Sequence, residues 1–480
     1  MMGKHEKQKN LFSYGIDLDK RIRKNNPLRK VLEVVDFSFV REEVKDKYGS
    51  NGHVGLDPEV ILKLMFLLFW DNIKSERELV RILSERLDYL WFIGYGIDDE
   101  IPDHSVLSKA RRRWGQEVFE SMFVRSVAQC VEAGMVGKSK MHVDGSLVAA
   151  NASVNSVVKS DPEMIDRLRE VYGAQEAKLE MAKGVTKGKI PENRKLLSST
   201  DPDSACVRKK SGGQSLPRYK VHRAVDDLHG VITATETTPG NVEENAILKP
   251  IIEQHERNVG CKPSVAIADS QYGTAENYRN LTAMGVSTHM APYVKGRRGS
   301  LYAIDKFLYD RSRDAYLCPA GNYLNPKTAD KIRMGMQYIA RKELCNACPL
   351  KRECTNSNAG RIVLRRWGQD LIDEGIAASR TRQARSDRKR RMWLMEGSFA
   401  QSANLHGFKR SRWRRIWRQR IQDHIIESVQ NIKILISRAI EPQNAETVRQ
   451  CLRFSNNLVH SVVLTAVSLQ FTASHEVQPN

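Results

Sequence analysis

Apolar residues recur at helical spacing from Gly55 to Phe123 and at strand spacing from Met141 to Tyr293, and that switch divides the chain. In the first stretch Asp57-Pro58 offers an N-cap with proline at the first helical position. Ile61, Leu62, Leu64, Met65, Leu68 and Phe69 then form an apolar stripe. Ser75-Glu76-Arg77-Glu78 approximates a capping box for a second helix reaching Leu83. Asp103-His104-Ser105 opens a third, with Leu107 inward and Arg111, Arg112 and Arg113 outward, running towards Phe119. Short helices with polar turns suit either a helix-turn-helix that enters the DNA major groove or a bundle used for packing and dimerisation.

The second stretch opens with Met141 to Asn151, a strand with one acid, Asp144, projecting from its middle. Residues 154–216 lose strand character; Asp166 to Lys183 reads as helix, and Lys183 to Gly213 has little to bury and is expected to be mobile. Arg218 to Asp226 and Val231 to Thr238 flank a glycine-containing loop, which is a hairpin signature. A helix from Glu243 to His255 follows, then a buried-type strand, Ser264 to Ala268, that ends in Asp269. A helix (Ala275 to Met284) and a strand (Val286 to Tyr293) complete the run. Strand, hairpin, helix, strand, helix, strand predicts an α/β fold with a mixed sheet flanked by helices. Asp269 then stands at a strand's C-terminal end, where such sheets place their working crevice.

Residues 295–380 interrupt this pattern with Cys318, Cys345, Cys348 and Cys354 and a β-like run from Arg361 to Trp367. Beyond Gln369 the chain is helical and basic, and a long helix from Ile421 to Ile440 buries Ile425, Ile426, Val429, Ile432 and Ile436. The division that follows is an all-α N-terminal domain (1–135) for DNA binding or dimerisation, and an α/β core (136–294 and 381–445). A small Cys-rich insertion (295–380) and a tail (446–480) with loose last residues complete it.

Charge narrows the function. The 480 residues carry 77 Lys+Arg against 57 Asp+Glu, a net charge of +20. Fourteen of the basic residues fall between Arg380 and Arg420, with Asp387 and Glu396 the two acids there. Clustered positive charge argues for a polyanionic partner rather than a uniform solubility device. No signal peptide or membrane span is visible, since the N-terminus lacks an apolar core and the Val60 to Trp70 run is short and broken by Lys63. Only four of the eight cysteines are grouped, so a reducing cytoplasm is expected.

Three constellations carry candidate chemistry. Asp144, Asp269 and Glu396 are separated by 125 and 127 residues, so only tertiary structure can gather them. If gathered, their oxygens suit two Mg²⁺ or Mn²⁺ ions of the kind that cleave phosphodiesters. Cys318, Cys345, Cys348 and Cys354 offer four thiolates for tetrahedral Zn²⁺, against the alternative of reduced, unligated thiols. Lys409, Arg410, Arg412, Arg414, Arg415, Arg418 and Arg420, with Trp413 and Trp417, could hold phosphates and stack on unpaired bases, or pack tryptophans inward and arginines outward. Arg111, Arg112 and Arg113 are the matching basic group in the helical domain. His142, His222 and His229 read as structural histidines.

Taken together, these segments resemble the DDE transposases of bacterial insertion sequences over most of the chain. The resemblance rests on Ile101 to Ser108, His142-Val143-Asp144-Gly145-Ser146 with Ala149 to Ser153, Ser199 to Asp203 with Tyr219-Lys220-Val221-His222, Ala268 to Gly273, and Met395 to Ala400 followed by His406 to Arg412. It implies a ribonuclease H-like core, with Asp144, Asp269 and Glu396 as the metal triad. It also implies transposition of double-stranded DNA by a homodimer or larger assembly that engages element ends and target. In many relatives a lysine follows the glutamate by about seven residues; here Gln401-Ser402-Ala403-Asn404 stands there and Lys409 is the next base. The competing functions are a two-metal nuclease without strand transfer and an inactive, zinc-bearing DNA-binding protein.

Overall fold

Local sequence sets the helices of the N-terminal region. The computed structural model describes residues 1–4, 17–49, 54–159, 196–209, 213–292, 301–332 and 334–438. Helices α1 (Leu18–Arg21), α2 (Pro27–Val34) and α3 (Phe39–Val44) precede α4 (Pro58–Trp70), whose N-cap Asp57 accepts the Glu59 amide at 2.9 Å. Ser75 Oγ likewise accepts the Glu78 amide at the head of α5 (Glu76–Leu83), followed by α6 (Leu87–Ile93). The expected third helix is two. Gly115, at φ +76°, ends α7 (Ser105–Trp114), and α8 (Glu117–Glu132) starts anew and runs well past Phe119.

The sheet begins with β1 (Lys140–Ala149). The expectation of little strand structure over 154–216 is corrected for its described part. There β2 (Val157–Lys159) pairs with β3 (Leu196–Ser198), and β4 (Ala205–Arg208) pairs with the start of β5 (Ser215–Asp226). The helix expected at Asp166 to Lys183 and the tail beyond 438 lie outside the described residues. β5 and β6 (Ile232–Pro239) form the anticipated hairpin. β5 also pairs antiparallel with β1, setting Arg223 opposite Asp144, while β7 (Val265–Ile267) lies parallel to β1 on its other edge. The order β6-β5-β1-β7, three antiparallel strands followed by a parallel fourth, is the ribonuclease H-like arrangement. Between β6 and β7 the chain makes a 3₁₀ turn (Glu244–Ile247) and α9 (Leu248–Val259), which replace the single helix read from the sequence.

Two compact units result, one of residues 1–267 with 389–480 and the other of residues 268–388. In the first, the N-terminal helices do not form a separate core. Phe66, Phe92, Trp114 and Phe123 belong to one apolar cluster with Val221 and Val225 of β5 and with Ile425, Val429 and Ile432. The last three lie on the long C-terminal helix, described from Ile416 to Arg438. Leu18 and Ile436 reach opposite ends of the same cluster in sequence, so the helical region and the sheet are one folding unit.

The second unit opens with α10 (Ala275–Ala283) and a two-residue strand β8 (Ser287–Thr288). It continues as a five-stranded antiparallel sheet, β9 (Leu308–Asp310), β10 (Ala315–Leu317), β11 (Tyr323–Asp330), β12 (Gly335–Ala340) and β13 (Ile362–Arg366), paired in that order. Two short helices, α11 (Lys342–Asn346) and α12 (Lys351–Cys354), bridge β12 to β13, and α13 (Gln369–Ser379) follows. Helix α14 (Arg382–His406) and α15 (Ile416–Arg438) are separated by a loop, so the basic run from Arg410 to Arg415 is not helical. Among the described residues no helix is long and apolar enough to cross a membrane.

Candidate active site

Asp144 sits midway along β1, where Val143 and Val148 are fully buried and Asp144 itself is half-exposed. The next residue, Gly145, leaves room for an approaching acid. A Cβ there would meet Glu244 Oε1 at 3.4 Å and His222 Nδ1 at 3.2 Å. Asp269 is placed by β7: Ile267 pairs beside His142, the buried Ala268 follows, and Asp269 caps the turn at 270–272 by accepting the Gln271 amide at 2.7 Å. The carboxylate oxygens of Asp144, Glu244 and Asp269 lie within 4.8 Å of one another. Lys220 Nζ stands 3.3 Å from Glu244, and Arg391 Nη1 stands 2.8 Å from Asp144 Oδ2. Three partly buried carboxylates at this spacing repel one another, and hard divalent ions prefer such all-oxygen sets. The donor set therefore fits Mg²⁺ or Mn²⁺.

Glu244 is the residue that sequence reasoning missed. Its signal was weak: an acid just after the Pro239-Gly240-Asn241 strand stop, indistinguishable from a helix-start acid until the turn is folded. Glu396 is not among the three. It is exposed on α14, beside the buried Met395 and three residues before the buried Phe399. Arg391, on the same helix, reaches Asp144, and five residues of helix correspond to roughly 7.5 Å of axial rise. The helix bearing Glu396 thus lies over the strand bearing Asp144.

A buried polar network sets that helix on the sheet. Arg223, opposite Asp144 in register, is fully buried. Its Nε donates to Glu427 Oε1 at 2.8 Å on α15, and its Nη1 donates to Ser402 Oγ at 2.7 Å on α14. Its guanidinium also lies over the rings of Phe399 and Phe408, at 4.9 and 4.5 Å. An ion pair in such a place is costly unless its remaining sites are satisfied. Thr235 Oγ1 donates to Glu427 at 2.8 Å, and burial still pushes the Glu427 carboxyl up to about 7. His142 is buried with Nε2 2.7 Å from Asp227 Oδ1, which also accepts from Arg390 Nε at 2.5 Å. Burial holds His222 down at about 3, so it is neutral, with Nε2 3.2 Å from Thr238 Oγ1. Both histidines are structural.

The Ser199 to Asp203 segment has a structural task. Tyr219 donates its hydroxyl proton to Asp201 Oδ1 at 2.6 Å, and Asp203 Oδ2 accepts the Ile416 amide at 3.0 Å at the head of α15. Arg415, at φ +81°, pairs with Asp203 at 3.0 Å.

The basic residues separate into buried and exposed sets, which corrects the outward placing of Arg111. It is 4% exposed, ion-paired to Glu76, with its guanidinium 3.9 Å from the Trp413 ring centre. Burial lowers its pKa. Arg412 is also inward: it donates to the Ile73 carbonyl and to Asn72 at 3.0 Å and covers Phe69, and burial brings it to about 10. Arg112, Arg113, Lys409, Arg410 and Arg414 are exposed, with Lys409 Nζ 2.6 Å from Ser146 Oγ. Arg418 is half-buried over Trp417. Cys318, Cys345, Cys348 and Cys354 are free thiols in the second unit and line one cavity there.

Two family models match the chain, a transposase domain over residues 16–113 and a transposase DDE domain over residues 317–436. The first covers the helical region through Arg113, and the second ends on α15 and includes Glu396. No curated protein matches the sequence at a significant level. Among solved structures, a piggyBac transposase synaptic complex with hairpin DNA aligns at 12% identity over 94% of this chain and 80% of that one, with a TM-score of 0.31. A Mos1 transposase paired-end complex aligns at 11% identity over 52% of this chain and 64% of that one, with a TM-score of 0.15.

Proposed function

We propose that this chain, with a transposase domain at 16–113 and a transposase DDE domain at 317–436, is a DDE transposase of an insertion sequence that binds the two ends of its own element, hydrolyses phosphodiester bonds there and joins the freed 3′-OH to target DNA. The observation that carries the proposal is the convergence of Asp144 on β1, Asp269 just beyond the adjoining β7, and Glu244 in the turn after β6. Asp144 and Asp269 are assigned as ligands of two Mg²⁺ or Mn²⁺ ions, with Glu396 as the third ligand. Ions held there would generate a strong nucleophile from water and neutralise the leaving oxygen.

The chain's own residues supply the rest. Arg223 fixes α14 to the sheet level with Asp144, so the carboxylate on that helix is presented from a rigid element. Arg391 satisfies Asp144 before DNA arrives; in the DNA complex its guanidinium is assigned to a phosphate oxygen. Arg112, Arg113, Lys409, Arg410 and Arg414 form the phosphate-contacting set. Residues 1–135 bind the element ends, and two copies or more bring both ends together at the bacterial nucleoid.

The test is a strand-transfer assay with Mg²⁺ and duplexes copied from the DNA flanking the gene. Joined products that disappear with Asp144→Ala, while DNA binding persists, support the reading. Cleavage without joining would indicate a two-metal nuclease. Unaltered function in Asp144→Ala would leave a DNA-binding protein.

A further inference from the structure

We propose that the second compact unit holds one structural zinc ion between Cys318, Cys345, Cys348 and Cys354, independently of the catalytic carboxylates. The five-stranded sheet of this unit has a small apolar cluster of its own: six buried side chains, Phe307, Tyr316, Leu324, Tyr338, Ala340 and Val363, with Cys318, Cys345 and Cys354 packed against it. A cluster that small supplies little stabilisation to five strands, and a metal or disulfides commonly reinforce small cores. All four thiols are free, so disulfides do not provide it.

The four cysteines arrive from separate elements at one place. Cys318 follows β10 directly and begins a tight turn in which Gly321, at φ +81°, donates its amide to the Cys318 carbonyl at 2.8 Å. The Asn322 amide then points at Cys318 Sγ, 3.3 Å away. Cys345 lies on α11, and the Cys348 amide donates to its carbonyl at 3.3 Å, closing the Cys-x-x-Cys loop. The Arg361 amide, just before β13, points at Cys345 Sγ at 3.4 Å. Cys354 ends α12. Amide donors directed at sulfur are the outer partners that a metal-bound cysteine keeps.

Between them is a cavity of about 20 Å³, lined by all four cysteines together with Tyr302, Leu324 and Arg361. That volume admits roughly one small sphere, an ion or a water. Among the described residues no three of these sulfurs lie within 4.8 Å of one another, so they ring the opening rather than touch. Four thiolates without an open position make a structural rather than a catalytic site.

The test is metal analysis of the full-length chain from zinc-supplemented culture, with Co²⁺ exchange followed by absorption. About one zinc per chain is expected, with a cobalt–thiolate charge-transfer band on exchange. Zinc should be retained in Asp144→Ala and Cys261→Ser and lost in Cys345→Ser with Cys348→Ser. A chain that folds with no bound zinc and gives no cobalt–thiolate band overturns the proposal, as does a coloured iron–sulfur chromophore on the same cysteines. Because Asp144→Ala is expected to keep its zinc, failure here and failure of the transposase reading are separable.

Discussion

Arg391 Nη1 and Asp144 Oδ2 lie 2.8 Å apart, with side chains 15% and 26% exposed. A cation of the protein's own thus sits beside a carboxylate assigned to hold the metal ions. Charged hydrogen bonds contribute about 1.5–3 kcal/mol, and a metal ion must compete with this one. Arg391→Ala is therefore expected to tighten Mn²⁺ binding to the DNA-free protein by about tenfold, measured by calorimetry. It should also weaken cleavage of DNA. Unchanged metal affinity would show that the pair does not guard the site.

The two glutamates divide by role. Loss of a metal-ligand carboxylate removes several kcal/mol of transition-state stabilisation, or about a thousandfold or more in rate. Glu396→Gln is expected to show that loss. Glu244→Gln, as a supporting acid, should cost about 10–100-fold. Gel-based cleavage of end duplexes decides between them, and the reverse ranking would reassign the third ligand to Glu244.

Stability should carry the mark of Asp201. Burial pushes this carboxyl up to about 6. An acid with a raised folded pKa holds its proton more tightly when folded, so its ionisation costs stability as pH climbs from about 4 to about 6. Both of its hydrogen bonds, from Tyr219 and from the Arg415 amide, go to Oδ1, which asparagine retains. Asp201→Asn should be more stable than the parent above pH 6, by at most roughly 3 kcal/mol. The difference should vanish below about pH 4. Urea unfolding across that range checks it; a difference independent of pH would contradict the assignment.

Salt dependence separates the two sets of arginines. Arg414→Ala removes an exposed cation and should lower the salt slope of DNA binding by about one. Arg111→Ala orphans the buried Glu76 carboxylate and strips a cation from Trp413, so it should destabilise the fold by about 3–5 kcal/mol. The slope for its folded fraction should be unchanged. Equal slopes for Arg414→Ala and the parent would exclude the 407–415 loop from the DNA face.

Much of this architecture was legible in the chain. Asp57, Ser75 and the Gly-containing loop between β5 and β6 announce their elements by local chemistry, and Asp144 and Asp269 stand out as acids on apolar strands. The misses have tertiary causes. Arg111 looks like its neighbours until Glu76 and Trp413 close over it. Gly115 reads as a tolerated helix glycine until its positive φ ends α7. β4 is only four residues long, Ala205–Arg208, too short for its own pattern to announce it, and its pairing with β5 makes it a strand. Glu244 joins the site only through the turn after β6. The DDE family match embraces Glu396, yet the compact carboxylate group contains Glu244 instead.

The most direct measurement is Mg²⁺-dependent cleavage of the flanking-DNA duplex by the parent and by Asp269→Asn, at matched DNA occupancy. A metal-requiring 3′-OH product from the parent, reduced about a thousandfold or more by the substitution, is the predicted result. Equal cleavage by both proteins would contradict the assignment of Asp269 to the metal site, and with it the active site drawn here.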